Sequence, residues 1–189
     1  MQLVRPSAQF LPEYVSALKR GWSADTVRGA TAAAEELAEI GRDAAAFLAH
    51  LEDREAKGGP VILPDGSTVA RLPGFRRWLW DGEFCGSINM RWQQGTHELP
   101  PHCLGHIGFS VVPWKRRRGY ATAALKLMLP EARAVGLNHV ELTTDPDNVA
   151  SQRVILACGG VLLESFIKPP QYGGQPGLRY RVPTTPPSM

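Results

Sequence analysis

The chain has 189 residues, of which 43% are hydrophobic and 21% are charged, and its formal net charge is +3. This size and composition are typical of one soluble globular domain, and so mild a charge selects neither an anionic small ligand nor a nucleic acid. Three widely spaced cysteines without a CxxC pair argue against a zinc site or a disulfide framework, so we expect no metal and a reducing, cytoplasmic location. No signal-peptide pattern and no apolar run of about 18 residues occurs, so no membrane segment is predicted.

The N-terminal part of the chain is predicted to be mostly helical. Gln2–Val4 has the pattern of a short strand, and Leu11–Lys19 that of a helix. The Ala-, Glu- and Leu-rich stretch 29–55 is predicted as helix that is interrupted in the middle, where Asp43 would cap a second piece. Residues 60–74 contain several Pro and Gly residues and are predicted to form a loop.

Three β runs follow this helical part. They are Phe75–Trp80, Glu83–Trp92 and His106–Val112. Asp81-Gly82 is predicted to join the first two as a two-residue hairpin turn, and the polar stretch 93–101 to form a loop before the third.

The C-terminal half alternates between helix and strand. We predict a helix over Ala121–Val135, a strand over His139–Thr144, a helix over Asn148–Cys158, and closing strands over Val161–Lys168 and Leu178–Val182. This order predicts an α+β domain in which the strands before and after the first of these helices are parallel and lie side by side, or nearly so.

A basic turn separates the third β run from the helix that follows. The run ends at Val112, the turn contains Lys115–Arg118, and the helix begins after Gly119. The first N–H groups of a helix lack intrahelical partners and carry the positive end of the helix dipole, so they suit a diphosphate. Gly119 and Ala121 would let phosphate oxygens approach the backbone. A solvated basic face and a nucleic-acid contact are alternative interpretations, whereas Rossmann and P-loop glycine motifs are absent from the sequence.

These motifs resemble those of a known family. Arg116-x-x-Gly119-x-Ala121, after a strand and Val-x-Pro, resembles the pyrophosphate signature of the GNAT acetyltransferases. The segment from Thr144 to Gly160 is similar to the second cofactor segment of that family. The wider stretch 81–163 resembles a subgroup of bacterial predicted acetyltransferases, through its Ile-Asn-Met-Arg strand, its Gly-His-Ile-Gly-Phe strand, the Arg-Arg-Gly-Tyr-Ala loop and the helix that ends in Gly-Gly.

The resemblance implies a GNAT fold, with a mixed, mostly antiparallel sheet of six or seven strands flanked by helices. It implies a single domain over residues 1–189, with a cofactor-binding core at about 75–168 and an N-terminal helical region at about 8–57. The implied activity is direct transfer of the acetyl group of acetyl-CoA to a primary amine of a small molecule, peptide or protein, without a metal, a nucleic-acid partner or a membrane. A homodimer is common in such families. The alternatives are a catalytically inactive acyl-CoA sensor, which a missing tyrosine keeps open, and a nucleic-acid-binding module built on Lys115–Arg118.

The resemblance also assigns cofactor-binding residues. The backbone of Ser110, Val111 and Val112 would pair with the amides of pantetheine as if the cofactor were an added strand. Asn148 and Ser151 would contact the pantetheine arm. The diphosphate would be held by the loop residues Arg116, Arg117, Arg118, Gly119, Tyr120, Ala121 and Thr122.

Acetyl transfer to an amine calls for a general base and, in some enzymes, a general acid. We favour His106 as the base, because it lies at the start of the strand that would hold the thioester arm and an ordinary histidine pKa of about 6.5 suits the role. A packed structural histidine is an equal alternative, and Glu98 and Glu141 are other candidates for the base.

The general acid is less well defined by the sequence. Many relatives carry a tyrosine at the position of Ile155, which cannot donate a proton. Ser151 is the candidate donor, although it can equally be a plain pantetheine contact. Tyr172, Tyr180 or a water molecule are further alternatives.

The amine acceptor is not defined by the motifs. Arg91 and Trp92, at the end of the second β run, and Glu141 are candidates to line its site, while Trp78 and Trp80 are predicted to pack the sheet. The mild positive charge is a weak indication of an acceptor with a carboxylate or a phosphate.

Overall fold

The structure is a computed structural model that describes residues 1–63 and 66–185. Its N-terminal part comprises β1 (Gln2–Val4), α1 (Leu11–Lys19), α2 (Ala30–Arg42), α3 (Ala44–His50) and the short strands β2 (Glu52–Asp53), β3 (Val61–Ile62) and β4 (Thr68–Val69). The next strands are β5 (Gly74–Trp80), β6 (Phe84–Arg91) and β7 (Ile107–Val111). The C-terminal part comprises α4 (Tyr120–Ala134), β8 (His139–Thr144), α5 (Val149–Leu156), β9 (Val161–Ile167) and β10 (Pro176–Pro183).

The predicted interruption of the N-terminal helix is confirmed. Asp43 lies between α2 and α3, and its Oδ1 accepts a hydrogen bond of 2.9 Å from the backbone N–H of Ala46. This side-chain cap satisfies one of the free N–H groups at the start of α3. The prediction of helix up to residue 55 is wrong at its end, because α3 stops at His50 and β2 then pairs with β5.

Two further predictions need correction at their boundaries. The stretch predicted as loop contains the antiparallel pair β3–β4, while Pro64 and Asp65 lie outside the described residues. The connection between β5 and β6 has three residues, 81–83, since Trp80 pairs with Phe84 and the register shifts between Leu79 and Trp80.

The strands form two main sheets. The first has the order β1-β5-β6-β7, with β2 also pairing with β5, and the second has the order β8-β10-β9. Every strand ladder in the described ranges is antiparallel. The α+β class is confirmed, but the sheet that was expected to be continuous and mixed is divided between β7 and β8, which share no ladder within the described residues.

Gly86 fixes the approach of β7 to β6. Its φ angle is +147°, and a Cβ atom built there would lie 2.2 Å from the carbonyl oxygen of Ser110 and 2.8 Å from Cα of Val111. A residue with a side chain would therefore have both an unfavourable backbone conformation and a direct clash with β7.

Two apolar layers cover the two faces of the first sheet. One contains Ile88 and Met90 of β6 packed with Leu125 and Met128 of α4. The other contains α1 to α3 with Trp78 and Trp80 of β5, and the rings of Tyr14 and Trp78 stack with their centroids 4.6 Å apart. Trp78 is fully buried and Trp80 contacts Phe10, so the prediction that both tryptophans pack against the sheet is confirmed. In the described part of the chain, no helix combines the length and apolar character needed to cross a membrane.

Candidate functional site

The basic turn after β7 presents an open helix terminus. Pro113–Lys115 form one 3₁₀ turn, and both Arg117 and Gly119 adopt positive φ angles, of +63° and +75°. The chain then enters α4, and the N–H of Ala123 bonds to the carbonyl oxygen of Gly119 over 3.0 Å. The N–H groups of residues 120–122 precede the first complete helical turn, so they remain free to bind an anion.

The charges of the turn divide into two sets. Arg116, Arg117 and Arg118 are exposed, whereas Lys115 is almost buried. The ammonium of Lys115 lies 2.9 Å from Oδ1 of Asp81 and 2.9 Å from Oε2 of Glu83. Lys115 therefore joins the turn to the β5–β6 hairpin, which leaves Arg116, Arg117 and Arg118 as the exposed cations of the turn.

Asp81 is the hairpin residue that contacts both the basic turn and the start of α4. Besides Lys115, its carboxylate accepts a 2.5 Å hydrogen bond from the hydroxyl of Tyr120, the first residue of α4. Burial opposes the ionisation of Asp81, but the hydrogen bonds from Tyr120 and Lys115 outweigh it and lower the pKa of the carboxyl well below its ordinary value. The carboxylate thus stays charged and holds both the turn and the start of α4.

The free edge of β7 faces β8. Along β7 the bonds to β6 involve the even-numbered residues, since Arg91 N–H donates to the His106 carbonyl and Val112 N–H donates to the Cys85 carbonyl over 3.0 Å. By the alternation of an antiparallel ladder, the peptide groups of Phe109 and Val111 point the other way, towards β8. Of the three residues predicted to pair with pantetheine, only Val111 offers its peptide groups to this edge.

The other two predicted residues, Ser110 and Val112, make hydrogen bonds to other parts of the chain. The amide of Val112 belongs to the β6 ladder. The hydroxyl of Ser110 accepts a hydrogen bond of 3.0 Å from Nε1 of Trp22 in the α1–α2 loop. Phe109 was missed in the sequence reasoning, although counting alternate residues along the strand would have identified it.

The residue that precedes β7 is joined to the middle of β8. The N–H of His106 donates to the carbonyl oxygen of Glu141 over 2.7 Å, and the N–H of Glu141 donates to Nδ1 of His106 over 2.9 Å. Gly105 permits this contact, because a Cβ atom there would lie 3.1 Å from the carbonyl oxygen of Glu141. The open edges of the two strands therefore begin after this junction, on the side of the basic turn.

The surroundings of His106 limit its chemistry. The side chain is fully buried, and its Nε2 has no hydrogen-bond partner among the described residues. Burial lowers the pKa of His106 to about 4, although the nearby Glu141 carboxylate acts in the opposite direction. The ring is neutral at pH 7, and since Nδ1 accepts the bond from Glu141, the hydrogen resides on Nε2. A base role stays a prediction, and it would require Nδ1, the nitrogen without a hydrogen, to release the N–H of Glu141 and accept the proton instead.

The two alternative carboxylates line a separate cavity of about 360 Å³, together with His97, His139 and Arg181. Burial favours the neutral form of Glu141, but hydrogen bonds from Arg181 and Arg179 outweigh it and lower the pKa of the carboxyl. A lowered pKa makes Glu141 a weaker base. Glu98 is exposed beside it.

The second predicted cofactor segment forms the start of α5. Oδ1 of Asn148 accepts a hydrogen bond of 3.1 Å from the N–H of Ser151, so Asn148 caps the helix and only its amide nitrogen remains for a ligand. Ser151 is half-buried on the first turn. Ile155 is 1% exposed and packs in the core with α4, so the tyrosine position of related sequences contains a side chain that cannot donate a proton.

The tyrosines of the closing region have partners. The hydroxyl of Tyr172 donates to the carbonyl oxygen of His102 over 2.5 Å, and the hydroxyl of buried Tyr180 lies 3.4 Å from Oε1 of Gln152. Burial raises the pKa of Tyr172. Neither tyrosine therefore offers an unengaged hydroxyl.

A second cavity, of about 280 Å³, lies at the end of β6. Arg91 lines it together with Asn89, Cys103 and Tyr172. Trp92 is instead buried in the core against the ring of Phe75, so of the two residues predicted beside this site only Arg91 faces a cavity. Within the described ranges, no group of three or more His, Cys, Asp or Glu side chains is placed to hold a metal ion.

A family model described as an acetyltransferase (GNAT) domain matches residues 42–161. The chain belongs to the GNAT acetyltransferase family. The match spans the β5–β6 hairpin, β7, the basic turn and α5, so the free edge of β7 and the open helix terminus lie inside the GNAT domain.

Solved structures of GNAT acetyltransferases share the fold. The microcin C7 self-immunity acetyltransferase MccE, whose structure contains acetyl-CoA and AMP, is 12% identical with a TM-score of 0.58, over 96% of this chain and 91% of that chain. A chimera of the spermidine N-acetyltransferase SpeG from Vibrio cholerae and hSSAT is 13% identical with a TM-score of 0.61, over 97% and 95% of the two chains. A search of curated proteins gave no match. At these identities the likeness defines the fold and leaves the substrate open.

Proposed function

We propose that this GNAT domain is an N-acetyltransferase that moves the acetyl group of acetyl-CoA directly to a primary amine of a small molecule or peptide. The observation that carries the proposal is the combination of an open helix terminus with a free strand edge. The N–H groups at the start of α4 and the exposed Arg116–Arg118 suit a diphosphate, and the free edge of β7 leads to them.

Each part of the cofactor has a matching group. The peptide groups of Phe109 and Val111 would bond the pantetheine amides, as an added strand does. In this structure Nε of Arg116 donates to the Val111 carbonyl over 3.3 Å, a bond that an arriving pantetheine amide would replace. The amide nitrogen of Asn148 and the hydroxyl of Ser151 would contact the arm from the side of α5.

Acetyl transfer to an amine moves two protons, one off the amine and one onto the departing thiolate. The amine must be neutral when it attacks the thioester carbonyl, and its proton leaves as the C–N bond forms and the C–S bond breaks. His106 supports this step by holding β7 against β8. The proton of the amine passes to a water molecule, or to Nδ1 of His106 if that nitrogen first releases the N–H of Glu141. Ser151 is the proposed donor to the departing thiolate, and a water molecule is the alternative.

A catalytically inactive acyl-CoA sensor is the second candidate. It is favoured by Ile155, which is buried where related sequences carry a proton-donating tyrosine. Both functions predict CoA binding, and they differ only in turnover.

The test combines two measurements on the full chain. Calorimetry should detect binding of CoA and acetyl-CoA, and a CoA-release assay over a panel of primary amines should detect acetyl transfer. Absence of binding at millimolar CoA would overturn both candidates, whereas binding without turnover on any amine would select the sensor.

A further inference from the structure

The cavity at the end of β6 has the position expected of an acceptor site. It is bounded by Asn89 and Arg91 of β6, by Gly74 at the start of β5, and by Cys103 and Tyr172 from two loops. Asn89 pairs with Gly108 of β7, so the cavity begins one strand away from the free edge assigned to pantetheine. Adjacent strands are about 5 Å apart, so a small acceptor bound here can reach that edge with its amine.

Arg91 is the cation of this cavity that lacks an acidic partner. No carboxylate oxygen in the described ranges lies within 4.0 Å of its guanidinium nitrogens, and its Nε is buried without any hydrogen-bond partner. The two other arginines at the cavity are paired, Arg76 with Glu36 at 3.0 Å and Arg71 with Asp53 at 3.9 Å.

The neighbours of Arg91 do not replace an anion. The carboxamide of Asn89, oriented so that its nitrogen donates to the Gly108 carbonyl, places its oxygen 3.2 Å from one terminal nitrogen of Arg91. The positive charge acts to lower the pKa of Cys103 and of Tyr172, but in both residues burial is larger and raises the pKa, so they stay neutral at pH 7. Among the described residues, the guanidinium is therefore left with uncharged hydrogen-bond partners, the Asn89 oxygen and the Cys103 thiol, and with an unused donor at Nε.

An arginine without an acidic partner is complementary to a carboxylate of a ligand. Leaving a buried donor unsatisfied costs free energy, and the planar array of N–H donors in Arg is complementary to a carboxylate, which can accept two of them together. One unpaired cation balances one negative charge, which fits a carboxylate better than a doubly charged phosphate. The cavity, of about 280 Å³, also lies just below the range of about 300–1,000 Å³ usual for ligand pockets, so it suits a ligand of few atoms.

We propose that the acceptor is a small amine that carries a carboxylate, such as an amino acid, and that Arg91 binds this carboxylate. The inference rests on the proposed acetyl transfer. It also separates this chain from any enzyme that acts on polyamines, because a polycation at this cavity would face an unbalanced arginine.

The experiment uses matched pairs of acceptors. ω-Amino acids from glycine to 6-aminohexanoate are compared with their carboxamides, with spermidine and phosphoethanolamine as further acceptors, by CoA release with acetyl-CoA. The wild type should prefer at least one acid over its amide by about 10- to 100-fold in kcat/KM, the size expected for hydrogen bonds to a charged group. Arg91→Gln should remove this preference by raising KM for the acid, and Arg91→Lys should give an intermediate value.

A charge-matched control tests for a general effect of lost positive charge. Arg42 is exposed at the end of α2. The variant Arg42→Gln should keep the preference for the acid. Thermal unfolding and CoA calorimetry of all variants confirm that the fold and the cofactor site are intact. If Arg91→Gln does not fold, the ratio of kcat/KM for the acid to kcat/KM for its amide is measured in Arg91→Lys and Arg91→Met instead.

The outcomes distinguish this inference from the proposed function. Equal transfer to acids and amides, a preference for spermidine or phosphoethanolamine, or an acid preference that survives Arg91→Gln would overturn the inference while leaving the acetyltransferase standing. If no amine is acetylated, binding of the same acids and amides to the CoA-loaded protein is measured by calorimetry. Acid binding that is lost in Arg91→Gln would then support the carboxylate site, and absence of any acid binding would reject it.

Discussion

The backbone N–H of Glu141 donates a hydrogen bond to Nδ1 of His106 over 2.9 Å, and the N–H of His106 donates in return to the carbonyl oxygen of Glu141 over 2.7 Å. These reciprocal bonds join β7 to β8 at the point where the two sheets meet. They also hold the imidazole as the neutral Nε2–H tautomer, because only an unprotonated Nδ1 can accept.

The buried imidazole makes stability depend on pH. Burial lowers the folded pKa of His106 to about 4, against about 6.5 in the unfolded chain, so the unfolded chain binds the proton more readily. The stability that this group contributes is complete above about pH 6.5 and falls as the pH drops towards 4, by up to about 3 kcal/mol. Urea unfolding at pH 7.5, 5.5 and 4.5 should show this loss in the wild type and less of it in His106→Gln.

His106→Gln also separates positioning from base catalysis. A glutamine oxygen can still accept the N–H of Glu141, so we expect CoA affinity to be unchanged and turnover at pH 8 to fall less than about 10-fold. Loss of a general base typically costs about 10²–10⁴-fold. A loss of that size, together with the disappearance of an acidic limb from the pH–rate profile, would contradict our expectation and restore His106 as the base.

Gly119 tests the anion site at the start of α4. A Cβ there meets no atom within 4 Å, but the φ of +75° disfavours every residue with a side chain, so Gly119→Ala, Gly119→Gln and Gly119→Glu should share a backbone penalty of about 1 kcal/mol. Beyond this shared cost, Glu places a carboxylate where the diphosphate should bind. Calorimetry should give the order Ala, Gln, Glu for increasing loss of CoA affinity, with Glu at least about 100-fold weaker than Ala. Equal affinities for the Gln and Glu variants would show that no diphosphate binds at this loop.

Gly86 tests the placement of β7. In Gly86→Ala the new methyl group would overlap the carbonyl of Ser110, so we expect a loss of about 2–4 kcal/mol in the free energy of unfolding and weaker CoA binding. Gly82→Ala is the matched control, since Gly82 also has a positive φ of +110° but a Cβ there meets nothing within 4 Å. Denaturant titration of both variants separates the cost of a positive φ angle from the cost of the clash with β7. Equal losses in the free energy of unfolding would show that the clash with β7 is unimportant.

Ser151 tests the identity of the proton donor. If its hydroxyl protonates the leaving thiolate, Ser151→Ala should lower kcat by about 10- to 100-fold with little change in the KM for acetyl-CoA. A plain contact with the pantetheine arm predicts the reverse, a raised KM with kcat retained. We expect the first result, because Ile155 provides no donor. The N–H of Ser151, not its hydroxyl, bonds to Asn148, so the alanine variant keeps the helix cap as an internal control.

Local chemistry made much of the fold predictable from sequence. Asp43 before an Ala-rich stretch predicted a helix cap, and Gly119 after three arginines predicted the start of α4, because both signals depend on backbone groups a few residues away. Similarly, strand β8 was predicted with its observed ends. The end of α3 was predicted wrongly, since Glu52 and Asp53 become a strand only through pairing with β5, which lies about 20 residues further along the chain.

The sequence by itself determined the family, the order of elements and the position of the anion-binding turn, because each is written in short motifs with local physical causes. Only the tertiary structure decided which of these groups are free to act. It paired Lys115 with Asp81, committed the amide of Val112 to β6, fixed the tautomer of His106 through Glu141 and left Arg91 without an acid. Such pairings join residues from distant parts of the chain, and a side chain's charge, exposure and hydrogen bonds follow from those partners rather than from its own identity.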